Sequence, residues 1–374
     1  MKSKILKQNF NVKHIHFSLL ICTLCLVAFG LVMIYSASSY SAMLNYDNEY
    51  YFLTKQIFGA VAGIGAMIFA YFFDYHKLIK LRWYILGGSV LLLALVFVPG
   101  LGVSNNGAQR WLNLGLFTIQ PSEIAKFGFV VWCSAYLSKN YKEIKKFVGI
   151  VPVLFFGIII CFLIMLEPNM SITMCVGLTM VVMLFVGGIR AKHFAYLSIP
   201  IAGAVPALII MEPYRLSRLT AFLNPWLNPK GEGYELIQSL YSLASGGLFG
   251  VGLFNSRQKY LFLPFAESDF IFSIIGEELG LFGCIILISI FGLFIFNGIK
   301  IAINSKDRFG CFLATGITTI IASQVLINIA VVSGSIPPTG VPLPFISAGG
   351  TALVVFMFCT GVLLNISSQS KQSC

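Results

Sequence analysis

The sequence predicts an all-α, polytopic integral membrane protein, and three observations carry that prediction. Hydrophobic residues make up 57% of the 374 and charged residues only 10%, with a mean hydropathy of +0.87. No soluble globule of this length could bury so much apolar surface. Apolar stretches recur at about the 20-residue length that a helix needs to cross a bilayer. Lysine and arginine gather in alternate connections between those stretches, as membrane insertion requires. About ten helices and one large extracytoplasmic loop, 212–268, are expected within a single membrane domain spanning residues 1–374, with no strands.

The stretches fall at 17–38, 56–74, 81–99, 120–138, 147–166, 170–188, 193–211, 269–299, 309–333 and 342–366. Lys2, Lys4, Lys7 and Lys13 precede the first without an acid among them, which places the N-terminus in the cytoplasm. Counting alternate sides, Lys77, Lys80 and Arg82, then Lys139, Lys142, Lys145 and Lys146, then Arg190 and Lys192, then Lys300, Lys306 and Arg308, and finally Lys371 all fall inside. The C-terminus is therefore cytoplasmic too. The net charge of +11 is a topology signal and calls for no nucleic-acid partner. Ser36-Ala-Ser38 offers a small-residue cleavage site, but the apolar run ahead of it exceeds the roughly 7–15 residues of a signal-peptide core, so it reads as a retained first helix.

Cys22 and Cys25 have C-x-x-C spacing. Without a second pair, and with His14, His16, His76 and His193 scattered near helix ends, they read as small apolar residues and not as zinc ligands. Within 212–268, Asn224-Pro225 and Gly231-Glu-Gly233 signal turns, Gln238 to Ser245 has helical spacing, and Gly246 to Gly252 is glycine-rich. This connection is too apolar for a solvated tether and is expected to fold back and roof a cavity. A second wall is expected from Gly334 to Gly350, where prolines at 337, 338, 342 and 344 resist a continuous helix. Such backbone survives at membrane depth only beside protein or a wet cavity.

Asp269 is the most informative residue. A carboxylate at the start of an apolar helix is costly and marks a functional site. Glu267 precedes it, and Glu277 and Glu278 follow about 12 Å deeper at 1.5 Å per residue. Glu277 lies about 80° and Glu278 about 180° around the helix from Asp269, so the acids cannot all line one pocket. At least one is expected to bond a neighbouring helix. Ser268 or Asp269 reads equally as a helix cap, and Asp269 reads as a general base or a ligand for a divalent cation. Arg110, in Asn106-Gly-Ala-Gln-Arg-Trp111, and Lys126 are candidate counter-charges for an anionic headgroup. Glu123 and Lys126, three apart behind Pro121, also read as an ion pair locking helices together. Arg257-Gln-Lys259 reads as a solvated turn or a further cationic patch.

At these motifs the chain resembles the shape, elongation, division and sporulation family of membrane glycosyltransferases. The resemblance runs from Tyr35 to Asn365 through Gly107-Ala-Gln-Arg-Trp111, Gln120-Pro-Ser-Glu123, Gly233-Tyr-Glu-Leu-Ile-Gln-Ser239, Leu263-Pro264 with Asp269-Phe-Ile-Phe272, Gly276-Glu-Glu-Leu-Gly280 and Pro338 to Ser347. Ser256-Arg-Gln-Lys259 and Pro337-Pro-Thr-Gly340 are more similar to the division and sporulation type (FtsW and SpoVE) than to the elongation type (RodA). The family's usual Pro-Glu-Ala-His-Thr-Asp is Pro264-Phe-Ala-Glu-Ser-Asp269 here, the acid after Glu-Pro is Asn169, and the tyrosine before the paired glycines is Ala348.

The resemblance implies polymerisation of lipid II into glycan strands at the outer face of the bacterial cytoplasmic membrane, in cell division. A class B penicillin-binding protein of the divisome or a related cell-wall complex would supply the transpeptidase step. It implies Asp269 as the catalytic residue, and Arg110, Trp111, Glu123, Lys126, Lys259 and Ser347 as residues that bind lipid II and the nascent strand. A divalent cation, Mg2+ or Mn2+, would take Asp269 as its ligand. Asp269 would deprotonate the sugar 4-hydroxyl that displaces undecaprenyl diphosphate with inversion. The competing readings are a lipid II flippase, a RodA-type elongation polymerase and a scaffold. No inverted repeat of the transporter kind is found, and a scaffold leaves Asp269 unexplained.

Overall fold

In a bilayer the backbone finds no hydrogen-bond partner outside itself, so the apolar runs of this chain close their polar groups as long helices. The structure, a computed structural model, describes residues 16–105, 108–113, 115, 118–196, 203 and 213–370. Its helices are α1 Phe17–Tyr46, α2 Tyr51–Phe72, α3 Lys77–Leu95, α4 Pro121–Lys139, α5 Phe147–Leu166, α6 Met170–Val186, α7 Pro213–Leu223, α8 Tyr234–Gly246, α9 Ile271–Ile303, α10 Arg308–Val332 and α11 Gly350–Gln369. Among the described residues, seven are long and apolar enough to cross a membrane, and α6 is a shorter apolar helix. The predicted span 193–211 lies largely outside the described residues, as do Lys2, Lys4, Lys7, Lys13, Lys371, Asn106 and Gly107.

The expectation of no strands is corrected by a small antiparallel sheet, β1 Gly102–Asn105, β2 Ala108–Asn113 and β3 Thr118–Ile119, in the order β1-β2-β3. Polar and apolar side chains alternate too briefly along β2 to stand out in an apolar chain: Leu112 is buried, while Arg110 and Trp111 are half-buried. The first helix is an integral part of the bundle. It packs against α9, and Ser36, in the small-residue run, donates to Glu278 Oε1 at 2.6 Å.

Among the described helices, α4 is the most enclosed. Pro121 opens it, as its missing N–H allows, and every residue from Pro121 to Ala135 except Ile124 is buried against neighbouring helices. Its two charges at 123 and 126 therefore lie inside protein.

Helix α9 is broken at Gly280, whose φ of 67° is open to glycine at little cost. The break frees backbone groups that the glycine-rich run after α8 satisfies. Val251 N donates to Glu277 O at 2.9 Å and Gly252 N to Glu278 O at 3.0 Å, while Leu281 N donates to Gly247 O at 2.9 Å. The connection after α8 thus descends beside α9 and returns to the turn that carries Asp269.

Candidate active site

A cavity of about 260 Å³ opens where β2, α7, α8 and the segments 265–270 and 338–352 meet. Arg110 and Trp111 reach it from β2, Arg218 from α7, Glu235 from α8, Gln120 from the residue before α4 and Asn169 from the residue before α6. Asn169 also caps α6, its side chain accepting from Ile172 N at 3.3 Å. The two walls expected from the sequence, 212–268 and 334–350, both contribute.

Asp269 lines this cavity but does not cap α9. The helix begins at Ile271 after Phe270, which makes no side-chain cap. Ser268 and Asp269 lie in a tight turn in which Ser268 N and Phe270 N both donate to Phe265 O, at 3.1 and 3.3 Å. The carboxylate is thus released from the helix end and faces the cavity. It is partly accessible through the cavity and enclosed by protein elsewhere. That burial pushes its pKa up to about 6, with Glu235 and Glu267 adding to the rise and Arg110 and Arg218 opposing it. Burial likewise raises Glu235 and Glu267 above the usual carboxylate range.

Both arginines are steadied by neutral carbonyls. Arg110 Nε donates to Glu167 O at 3.0 Å and its Nη2 to Pro168 O, and Arg218 Nη1 donates to Pro338 O at 2.9 Å. Neither oxygen of the buried Glu167 carboxyl finds a hydrogen-bond partner, and burial pushes that group up to about 8. Arg110 opposes that rise without reversing it.

The structure brings together only part of the expected set. Arg110, Trp111 and Asp269 share the cavity; Glu123, Lys126, Lys259 and Ser347 do not line it. Lys126 Nζ bonds Glu123 at 2.8–2.9 Å and Gln324 Oε1 at 2.6 Å, and the two charged residues are 1% and 0% exposed. The pair is the helix lock, one layer beneath the wall, which it reaches because Gln324 Nε2 donates to Pro342 O at 3.0 Å. Lys259, 5% exposed, is turned to Phe254 O at 2.6 Å and Glu278 Oε1 at 3.4 Å. It is neither a solvated turn nor a cavity cation. Glu277 takes the Ser256 hydroxyl and the Arg257 amide, the latter at 3.1 Å. Both deeper acids thus hold the returning connection against α9, and each also bonds a neighbouring helix, as expected for at least one: Glu278 accepts from Ser36 Oγ of α1 at 2.6 Å and Glu277 from Ser242 Oγ of α8 at 3.4 Å. Ser347 accepts from Leu343 N at 2.7 Å and donates to Ser268 O at 2.5 Å, bracing the wall behind Asp269.

Arg218 and Glu235 are cavity residues that the sequence reading passed over. Glu235 stands within a recognised motif, Gly233 to Ser239, and Arg218 in an Arg-x-x-Arg repeat of the long loop, which were the available signals. Among the described residues no group of three or more histidine, cysteine or acidic side chains is placed to hold a metal ion. Among the described residues, Asp269 and Glu235 are the two carboxylates on the cavity, so a cation held by them would need substrate oxygens to complete its shell.

Residues 17–372 match the cell cycle protein family that groups FtsW, RodA and SpoVE. The chain is similar to stage V sporulation protein E of Bacillus subtilis, 41% identical over 355 residues, covering 94% of this chain and 97% of that one. It is 37% identical over 354 residues to a probable peptidoglycan glycosyltransferase FtsW of Geobacter metallireducens, covering 94% of each. Among solved structures it resembles a chain of a peptidoglycan synthase complex, described as coordinating polymerisation and crosslinking. That likeness has a TM-score of 0.80 at 26% identity over 96% of this chain and 99% of the other. The fold is also shared with the rod shape determining protein RodA of Thermus thermophilus, with a TM-score of 0.71 at 23% identity, covering 96% of this chain and 98% of that one.

Proposed function

Because the chain belongs to the FtsW, RodA and SpoVE family of cell cycle proteins, we propose that its cavity is where this membrane peptidoglycan glycosyltransferase joins lipid II to a growing glycan strand, with Asp269 as the general base. The single observation that carries this reading is a carboxylate partly exposed in a cavity that two arginines also line. A sugar hydroxyl is a weak nucleophile at neutral pH and needs a base at the moment of attack. A base near pH 6 is mostly ionised at pH 7 and still basic enough to accept the proton. The 4-hydroxyl oxygen bonds to C1 of the strand's terminal sugar, its proton passes to Asp269, and the C1–O bond to undecaprenyl diphosphate breaks. Arg110 and Arg218 line the same cavity and would offset the charge that develops on the diphosphate. A divalent cation, Mg2+ or Mn2+, would use Asp269 and diphosphate oxygens as ligands and supply further charge neutralisation.

Identities of 41% to a sporulation protein and 37% to an FtsW support a role in cell division or sporulation. The similar chain from a complex of polymerisation and crosslinking supports a class B penicillin-binding protein as partner, within the divisome or a related assembly. The alternation of charge supports a reaction at the outer face with both termini cytoplasmic, since the lysines of the 139–146 connection fall on the side opposite the cavity.

The test is polymerisation of purified lipid II by the protein with its partner, for wild type and Asp269→Ala. Strands from wild type and none from the variant are expected. Movement of lipid II across vesicles without polymerisation would instead identify a flippase. A cysteine placed at Asn228 should react with an impermeant thiol reagent in intact cells and one at Lys142 should not; the reverse pattern would invert the orientation.

A further inference from the structure

The turn that carries Asp269 has three consecutive backbone carbonyls, and each is held by a different residue. Glu267 O accepts from Ala348 N at 2.9 Å, Ser268 O from Ser347 Oγ at 2.5 Å, and Asp269 O from Asn328 Nδ2 at 2.8 Å. The same Asn328 amide donates to Val341 O at 2.6 Å. Val341 follows Gly340, the residue packed beside the Asp269 carboxylate. Asn328 therefore ties the base's own main chain to the wall opposite it, with one side chain on a third element, α10.

Three features separate this contact from ordinary packing. Asn328 is 1% exposed and does not line the cavity, so it has no direct route to substrate. Its Oδ1 has no hydrogen-bond partner, so the amide is used at this position for its two donors alone; a hydroxyl offers one donor and an aliphatic side chain none. One turn earlier on α10, Gln324 holds Pro342 O in the same way, but its other contact is Lys126 and not the Asp269 turn. Of the two amides, only Asn328 joins the two sides of the site.

We propose that Asn328 is a positioning residue that sets the Asp269 carboxylate by clamping the main chain of Asp269 to that of Val341. The proposal rests on Asp269 being the base. A reacting group displaced by about 1 Å loses on the order of a hundredfold in rate while substrate still binds. Its loss should therefore appear in kcat and not in KM.

The experiment compares purified, detergent-folded Asn328→Ala, Asp269→Ala and Asn297→Ala, each with the partner and lipid II. Asn297 is a similarly buried asparagine at the far end of α9, bonded to Ser18 Oγ at 2.8 Å. Asn328→Ala is expected to lower kcat by about 30- to 100-fold with KM within about threefold. Hydrogen exchange should rise in 265–272 and 339–345. Asn297→Ala should keep kcat within about twofold at a comparable loss of melting temperature. If Asn328→Ala does not fold, Asn328→Ser replaces it: it fits the same space with one donor in place of two, so kcat should still fall at least about tenfold with KM within about threefold. Wild-type kcat in the Asn328 variant while Asp269→Ala is inactive, or a loss no greater than that of Asn297→Ala, overturns the proposal. Wild-type polymerisation by Asp269→Ala overturns the reading beneath it, whatever Asn328 does.

Discussion

Gly340 leaves the space that the Asp269 carboxylate occupies: a Cβ at position 340 would stand 2.8 Å from Asp269 Oδ2. The atom it would meet is the far end of a side chain that can rotate, so the clash is relieved by turning the carboxylate and not by moving backbone. Gly340→Ala is expected to fold with a melting temperature within a few degrees of wild type, because neither backbone nor core must move. Its polymerisation rate should fall at least tenfold, since the base is turned from its position. Normal activity per folded molecule would show that the carboxylate's orientation does not matter.

The pH–rate profile should carry the electrostatics of the cavity. Activity needs ionised Asp269, so its acid limb is expected near pH 6. Glu235 raises that group and the two arginines lower it. Glu235→Gln should therefore move the acid limb to lower pH, and Arg218→Ala should move it to higher pH while weakening use of the diphosphate-linked donor. Shifts in the same direction for both variants would contradict the assignment.

Lys126 and Glu123 give a stability prediction. Removing the cation strands a buried carboxylate, at a cost of about 3–5 kcal/mol. Lys126→Met is expected to melt far below wild type in detergent, and the double variant with Glu123→Leu should recover much of the loss, because no uncompensated charge remains. A single variant as stable as wild type would remove the helix-lock reading.

The membrane class and the approximate positions of most described helices were legible because hydropathy at bilayer length is imposed by lipid on each segment separately, although the span expected over 342–366 becomes helix only at Gly350. Asp269 was legible for the same reason, since a carboxylate beside an apolar run needs an explanation. What could not be read was where side chains point after the chain turns back. Lys259 and Lys126 carry the same charge as Arg110 in the sequence, yet Glu278 and Glu123 claim them in the interior. Arg218 and Glu235 lie in short helices of the 212–268 connection, where charge alone does not separate a cavity residue from a solvated one. The break at Gly280 depends on hydrogen bonds from Gly247 to Gly252, about 30 residues earlier, which no local pattern encodes.

Asp269 should also weaken the fold that it serves. Its ordinary value is 3.8 and its folded value about 6. Below the lower value both folded and unfolded chains hold the proton and nothing is lost. As pH rises through that window the unfolded chain releases its proton first, so stability falls, and above about 6 the cost is fully present. After discounting for water that reaches the carboxylate through the cavity, the cost is on the order of 1–2 kcal/mol. Asp269→Asn, which keeps the shape and removes the charge, is expected to melt several degrees above wild type at about pH 7.5 and to match it near pH 4. Detergent melting curves at both pH values check this. A variant less stable than wild type at neutral pH would mean that the ionised carboxylate is held by favourable contacts, and that the cavity is far more polar around Asp269 than its burial implies.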